Sequence, residues 1–254
     1  MGLKQLFFVF FLLFTPLAAS FPIFHLYLAE KWLELNAISN EEDQREFLLG
    51  TLFPDIRYLE ECPRSKTHDS YPSLEKTKKA ESFFAAGTVF HAWVDEMREF
   101  YLHRNRVEEK LPLHARIRSG LFLKLLEDEI LYTSGAWKKK LEFLQEISRE
   151  EKQKSSLASL KKWHFFLTSY LSFPPSNVIS LLHSLHLNFF HLSESAFFSL
   201  SEDLALFAKK KCWQKHVEDL LLELELKMRL YLADARPSLS STQCVYIEPL
   251  LQTP

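Results

Sequence analysis

Apolar residues recur at helical spacing along most of the chain, and this pattern predicts a series of packed helices. The first helix covers Phe24 to Leu35. A second begins after Asn40, a good N-cap for the acidic first turn of EEDQREFLLG. We expect Gly50 to allow a sharp exit from this second helix and Pro54 to prevent its continuation. Asp55 would then lie directly after a helix instead of inside one.

The remainder of the chain continues the helical pattern after one loop. Residues 57–76 are rich in Pro, Ser and Thr and predict that loop. Further helices are predicted at residues 81–103, 115–132, 136–151, 156–173 and 212–235. Together they predict an all-α fold with a single multi-helix domain at residues 21–235, followed by an extended Pro- and Ser-containing tail at residues 236–254.

Composition supports the helical interpretation and narrows the function. The 254 residues are 47% apolar and 14% aromatic, enough to fill a sizeable core, and only 5 are glycine, which favours helices over a sheet with many tight turns. The formal net charge is −2, and the basic residues form no dominant block. Nucleic acid is therefore not favoured as a partner.

The first twenty residues resemble a secretory signal peptide. Lys4 lies in a short basic start, Leu6 to Phe14 is apolar, and Ala18, Ala19 and Ser20 are small residues suited to cleavage. The apolar run is short for a membrane span, although an uncleaved anchor stays open as an alternative. We expect the mature chain to be exported to a periplasmic, lumenal or extracellular location.

Cysteine content limits the chemistry of any metal site. Cys62, Cys212 and Cys244 are an odd number in a chain predicted to be exported, so at most one internal disulfide can form. None of them has the close spacing of a Cys-based zinc site. A metal would therefore be bound by imidazole and carboxylate groups.

His91 and Asp95 are the most informative polar pair in the sequence. They lie four residues apart in an apolar segment, so both side chains fall on one side of a probable buried helix. Burying Asp95 without a partner would cost several kcal/mol, which a metal ion or hydrogen bonds could offset. Asp55, similarly, suits either a turn or a metal ligand, and loop histidine His68 and helix-start histidine His25 suit either solvation or metal binding.

Four motifs together resemble the zinc-dependent phospholipase C family, which includes the amino-terminal catalytic domain of glycosylphosphatidylinositol-specific phospholipase D. They are His25 near the predicted mature start, GTLFPD at residues 50–55, SKTH at residues 65–68 and FAAGTVFHAWVDE at residues 84–96. The order and approximate spacing of the motifs match the family from Phe24 to about Leu102.

The resemblance implies an all-helical metallohydrolase of the phospholipase C and P1 nuclease type. It implies that Asp55, His68, His91 and Asp95 are the core zinc ligands, that His25 is a further ligand, and that Asp55 is also a candidate general base. One to three zinc ions would serve the site. The implied substrate is a phospholipid or another phosphodiester, with a membrane surface as the place where the enzyme meets it.

The chain departs from the family pattern downstream of Asp95. Trinuclear members supply a further histidine and then a His-x-x-x-Glu pair, whereas here His103 and His114 follow at longer spacing and Arg118 stands where a Glu is wanted. Two alternatives therefore remain: a non-catalytic helical relative that binds a lipid or protein partner, and a zinc-dependent single-strand nuclease. A second histidine cluster suits either a further metal contribution or the polar boundary of an amphipathic helix; it comprises His183, His186, His191 and Glu194.

Overall fold

Helices account for the regular structure of this protein. No strand occurs in the part of the chain that is described, so the predicted all-α fold is confirmed. Among the residues that the structure describes, no helix is both long and apolar enough to span a membrane. The predicted signal peptide, the tail and most of the second histidine cluster lie outside the described residues. The computed structural model describes residues 22–60, 62–116, 119–132, 137–178 and 194–234.

Short 3₁₀ segments separate several of the α-helices, at Phe53–Ile56, Arg64–Lys66, Val107–Lys110 and Trp137–Leu144. The α-helices in the described ranges are α1 Pro22–Leu35, α2 Glu41–Leu52, α3 Arg57–Glu60, α4 Leu74–Lys79, α5 Phe83–Arg104, α6 Leu113–Arg116, α7 Ser119–Tyr132, α8 Arg149–Lys154, α9 Leu157–Ser172, α10 Glu194–Phe207 and α11 Lys211–Asp234.

Helix α2 begins as predicted but ends differently. The Asn40 side chain accepts a hydrogen bond from the backbone N–H of Asp43 at 3.0 Å, which confirms the predicted N-cap. The expectation that Gly50 ends the helix is wrong, because α2 continues to Leu52. Asp55 nevertheless follows directly, in the 3₁₀ segment Phe53–Ile56.

Gly50 instead allows a close approach between α2 and α5, which pack together more extensively than any other pair of the described helices. A Cβ atom on Gly50 would lie 2.1 Å from the carbonyl oxygen of Phe84, and one on Gly87 would lie 2.2 Å from that of Phe47. Each glycine therefore faces the backbone of the opposite helix. This contact brings the end of α2, with Asp55 beyond it, against the buried face of α5.

Helix α7 carries buried carboxylic side chains that hold other elements in place. The carboxylate of Asp128 accepts hydrogen bonds from the backbone N–H groups of Ile23, at 3.1 Å, and Phe24, at 2.7 Å. It thus satisfies the amino-terminal end of α1, which carries His25. Glu127 forms a buried, two-point ion pair with Arg98 of α5 at 2.6 and 3.1 Å. Helices α1 and α5 are therefore both fixed to α7.

Helices α9 and α11 agree with the sequence, whereas residues 136–151 do not. That segment was predicted to be one helix, but it forms the 3₁₀ segment Trp137–Leu144 and then α8. The reason is local: Ser148 and Glu151 form a capping box, which starts a new helix at Arg149. Helix α9 ends at Ser172, before Pro174, and α11 spans almost the full predicted length.

Candidate metal centre

Helix α5 supplies two of the predicted ligands from one buried face. Ser82 caps its first turn, and the helix then runs without interruption through His91 and Asp95. The four-residue spacing places both side chains on the same side, where they are 1% and 3% exposed. His91 Nε2 and Asp95 Oδ2 lie 3.7 Å apart. The sequence-based expectation of a buried polar pair is thus met by the structure.

His25 reaches the same place from α1. Its ring stacks on that of His91 with centroids 3.9 Å apart and an interplanar angle of 5°. His25 Nε2 lies 3.8 Å from Asp95 Oδ1. Because Asp128 holds the first turn of α1, the position of His25 depends on a contact more than one hundred residues away in the chain.

Asp55 enters from the 3₁₀ segment after α2. Pro54 lies beside the start of this segment, where it loses no helical hydrogen bond. Asp55 Oδ1 lies 3.9 Å from His91 Nε2. This oxygen is buried and has no hydrogen-bond partner among the residues that the structure describes. A buried carboxylate oxygen in that state is suited to bind a cation.

His68 completes the group from the loop. Its Nε2 lies 3.1 Å from His91 Nε2 and 3.5 Å from Asp95 Oδ2, while its Nδ1 lies 2.8 Å from the hydroxyl of Thr67. The loop therefore turns His68 inward, although a loop histidine is more often solvated. All five predicted ligands are brought together: His25, Asp55, His68, His91 and Asp95.

The distances among these atoms suit a metal ion with short bonds. A tetrahedral zinc ion with bonds of about 2.0 to 2.2 Å holds neighbouring ligand atoms about 3.3 to 3.6 Å apart. The separations in this structure are 3.1 to 3.9 Å, which spans that range and extends a few tenths of an ångström beyond it on each side. Two triads have ligand atoms that all lie within 4.8 Å of one another, and both include His91: His25 with His91 and Asp95, and Asp55 with His68 and His91. The buried triads could thus hold a metal ion.

The tautomer of His91 leaves an electron pair facing the carboxylates. Its Nδ1 lies 2.8 Å from the carbonyl oxygen of Thr51, and a carbonyl can only accept, so Nδ1 carries the proton. Burial, and then the neighbouring His25, lower the pKa of His91 well below its ordinary value, so the ring is neutral. Its Nε2 lone pair therefore faces His68 Nε2 at 3.1 Å, and Asp55 and Asp95 at longer distances. Metal-binding histidines commonly show this arrangement, with the outer nitrogen bound to a carbonyl group.

The two carboxylates have opposite pKa shifts. Burial raises the pKa of Asp55 to about 7, and the negative charge of Asp95 adds to the rise. Burial also opposes ionisation of Asp95, but its hydrogen bond with His68 and the nearby His91 hold its pKa well below the ordinary value. Burial lowers the pKa of His68. The cluster therefore combines neutral imidazoles with at least one ionised carboxylate, a donor set that fits zinc.

Two cationic side chains at the site were not predicted from the sequence. Arg64 Nη2 lies 2.5 Å from Asp95 Oδ2. Lys124 of α7 is 2% exposed, and burial lowers its pKa to about 7, although the charges of Asp95 and Asp55 oppose this change. A lysine inside the apolar run LFLKLL could have drawn attention to Lys124. Arg64 lies in a polar loop, where no feature of the sequence distinguishes it.

An open cleft of about 420 Å³ leads to the cluster. The loop of residues 64–72 forms one side, and the α5 face with Ala92, Asp95, Glu96 and Glu99 forms the other. Asp95 and His68 line this cleft, so the cluster can be reached from solvent. The site thus has an entrance large enough for a small polar head group.

Of the two downstream histidines compared with the family pattern, His103 does not join the cluster. His103 is exposed in the last turn of α5, and the side chain of His114 lies outside the described set. Cys62 and Cys212 are free cysteines, which agrees with a site built from imidazole and carboxylate groups, and Cys244 lies outside the described residues.

No protein-family model, curated protein or solved structure matches the chain. The resemblance to the zinc-dependent phospholipase C family therefore stays a prediction that rests on the four sequence motifs.

Proposed function

We propose that this protein is an exported, zinc-dependent phosphodiester hydrolase of the phospholipase C type. The observation that carries the proposal is the His91 Nε2 lone pair, which faces Asp55 Oδ1 at 3.9 Å and Asp95 Oδ2 at 3.7 Å. A metal ion among these electron-rich atoms would offset their mutual repulsion, which the guanidinium of Arg64 and the hydrogen bond between the Nε2 atoms of His68 and His91 already reduce in part. Export is supported by the signal-peptide pattern of residues 1–20.

The residues divide into roles by position. Asp55, His68, His91 and Asp95 would hold one or two zinc ions, and His25 would close the group from α1. Asp95 suits a bridging role, because its Oδ2 faces His68 and His91 while its Oδ1 faces His25. A zinc ion would polarise a phosphoryl oxygen and make a water molecule more acidic.

Asp55 would act as the general base as well as a ligand. Its two oxygens allow one to bind the metal while the other accepts a proton from the attacking water. As the water oxygen bonds to phosphorus, the bond between phosphorus and the oxygen of the leaving alcohol would break, and that oxygen would take up the proton that Asp55 had accepted. The cleft between the 64–72 loop and α5 would hold the phosphodiester head group, and the lipid part would remain at the membrane surface.

Hydrolysis of phospholipid vesicles by the zinc-loaded protein tests this function. We expect release of phosphorylated head group from mixed phosphatidylcholine and phosphatidylinositol vesicles, and loss of this activity in His91→Ala. His103→Ala is the matched control, because it removes an exposed histidine from the same helix. Full activity in His91→Ala would exclude the proposed site. Single-stranded DNA as a second substrate tests the nuclease alternative in the same assay.

A non-catalytic role is the second candidate, and the contact between Arg64 and Asp95 favours it. A guanidinium group at 2.5 Å neutralises Asp95 without any metal. In that case the protein would keep the helical scaffold and bind a lipid or protein partner. Zinc binding separates the candidates, since a scaffold neutralised by Arg64 would remain metal-free after zinc loading.

A further inference from the structure

Arg64 lies between the cleft and the candidate metal cluster. Its guanidinium contacts Asp95 Oδ2 at 2.5 Å, its side chain is 37% exposed, and it forms part of the cleft wall. It therefore touches both a buried carboxylate of the cluster and the space that a ligand would enter.

The carboxylate oxygen that Arg64 contacts is the one that faces the histidines. Asp95 Oδ2 lies 3.5 Å from His68 Nε2 and 3.7 Å from His91 Nε2. A metal ion bound by these two nitrogens would share Oδ2 with the guanidinium. Because two cations on one oxygen repel each other, metal binding would weaken the ion pair between Asp95 and Arg64.

The charges around the cleft give Arg64 a second partner. Among the described residues of the cleft wall, Arg64 carries the one permanent positive charge, while Asp69, Glu96 and Glu99 are acidic. An anionic ligand would otherwise meet mainly negative side chains there. A guanidinium group binds the oxygens of a phosphate through parallel hydrogen bonds, and an ammonium group does this less well.

We propose that Arg64 is a phosphate-binding residue: its guanidinium, which contacts Asp95, would pair with the phosphate group of the substrate when a metal ion binds Asp95. The inference rests on the proposed function, because it requires a metal in the cluster. It adds a residue outside the set of metal ligands.

Zinc and inorganic phosphate titrations of the full mature chain test this role. In Arg64→Ala we expect zinc affinity to rise several-fold, because a competing cation is gone. We expect phosphate affinity of the zinc-loaded protein to fall about 10-fold, the value of one lost charge-assisted hydrogen bond. Arg64→Lys should lie between the two proteins. Lys66→Ala is the matched control, since Lys66 is exposed in the same 3₁₀ segment but does not line the cleft.

Hydrolysis of phosphatidylcholine vesicles distinguishes whether Arg64 binds the phosphate group of a lipid substrate or only inorganic phosphate. We expect KM to rise in Arg64→Ala by about as much as phosphate affinity falls; a change in phosphate affinity with unchanged KM would overturn the assignment to substrate.

The remaining outcomes separate the two proposals. Zinc binding by the unmodified protein, with equal phosphate affinity in Arg64→Ala, overturns the role of Arg64 and leaves the proposed function standing. Weaker zinc binding in Arg64→Ala would mean that Arg64 only supports the site. Zinc binding by Arg64→Ala but not by the unmodified protein would mean that Arg64 replaces the metal. No zinc binding by either protein overturns both proposals.

Discussion

The close contact of α2 with α5 makes a strong prediction for Gly50→Ala. The added Cβ would lie 2.1 Å from the Phe84 carbonyl oxygen, whereas ordinary contacts begin near 3.4 Å. The helices would have to separate by about 1.3 Å, since the opposing atom belongs to the backbone and cannot rotate away. Overpacking typically costs about 1 to 3 kcal/mol, and a backbone clash belongs at or above the top of that range. Against this loss, replacing glycine with alanine stabilises a helix by about 1 kcal/mol through its higher helix propensity.

We therefore expect Gly50→Ala to lower the free energy of unfolding by about 2 kcal/mol or more. Urea unfolding followed by circular dichroism measures this change, and an unchanged denaturant slope would show that the unfolded state is not responsible. The same separation would pull the Thr51 carbonyl away from His91 Nδ1, now 2.8 Å distant, so zinc affinity should fall as well.

The double variant provides an internal control. Gly87→Ala adds a methyl group to the same contact from the opposite helix, where its Cβ would lie 2.2 Å from the Phe47 carbonyl oxygen. Once one methyl group has separated the helices, the second costs less, so the two losses should not add. Stability equal to the unmodified protein in either single variant would refute the argument, and strictly additive losses would show that the two glycines do not share one contact.

Two further predictions concern the buried charges of α7. Burial raises the pKa of Asp128 to about 8, so its contribution to stability is fully present below about pH 4 and is lost as pH rises toward 8. Asp128→Asn should abolish this pH dependence, which urea unfolding at pH 5, 6.5 and 8 measures. Identical pH profiles of stability in the variant and the unmodified protein would count against the assignment. Glu127→Ala leaves Arg98 buried without its main partner and should cost about 3 to 5 kcal/mol in thermal or urea unfolding. Glu99→Ala removes an exposed partner of Arg98 and should cost less than about 1 kcal/mol, so equal losses would contradict this ranking.

Local patterns in the sequence predicted several of the helices and the His91–Asp95 pair of the candidate site. Helical periodicity predicted α1, α9 and α11, and the four-residue spacing of His91 and Asp95 predicted that both would face the same way. These features depend on residues within a few turns of each other. The loop position of His68 gave no such geometric signal, and its inclusion came from the family resemblance.

Features that depend on distant residues could not be predicted. Gly50 was expected to end a helix, but its actual role depends on a second helix more than thirty residues later. Asp128 was not singled out from the sequence, although it holds the start of α1 from 104 residues away. The contact of Arg64 with Asp95 likewise joins a loop to a helix across 31 residues. A pattern within one segment carries no information about such partners.

Zinc content, measured by mass spectrometry under non-denaturing conditions, tests the central claim most directly. After zinc loading we expect at least one zinc ion per chain in the unmodified protein and in His103→Ala, and a reduced zinc content in His91→Ala. His91→Ala should keep its helical circular dichroism, so that metal loss is not a consequence of unfolding. An unmodified protein that binds no zinc after loading, or a His91→Ala variant that binds as much as the unmodified protein, would contradict the proposed metal centre.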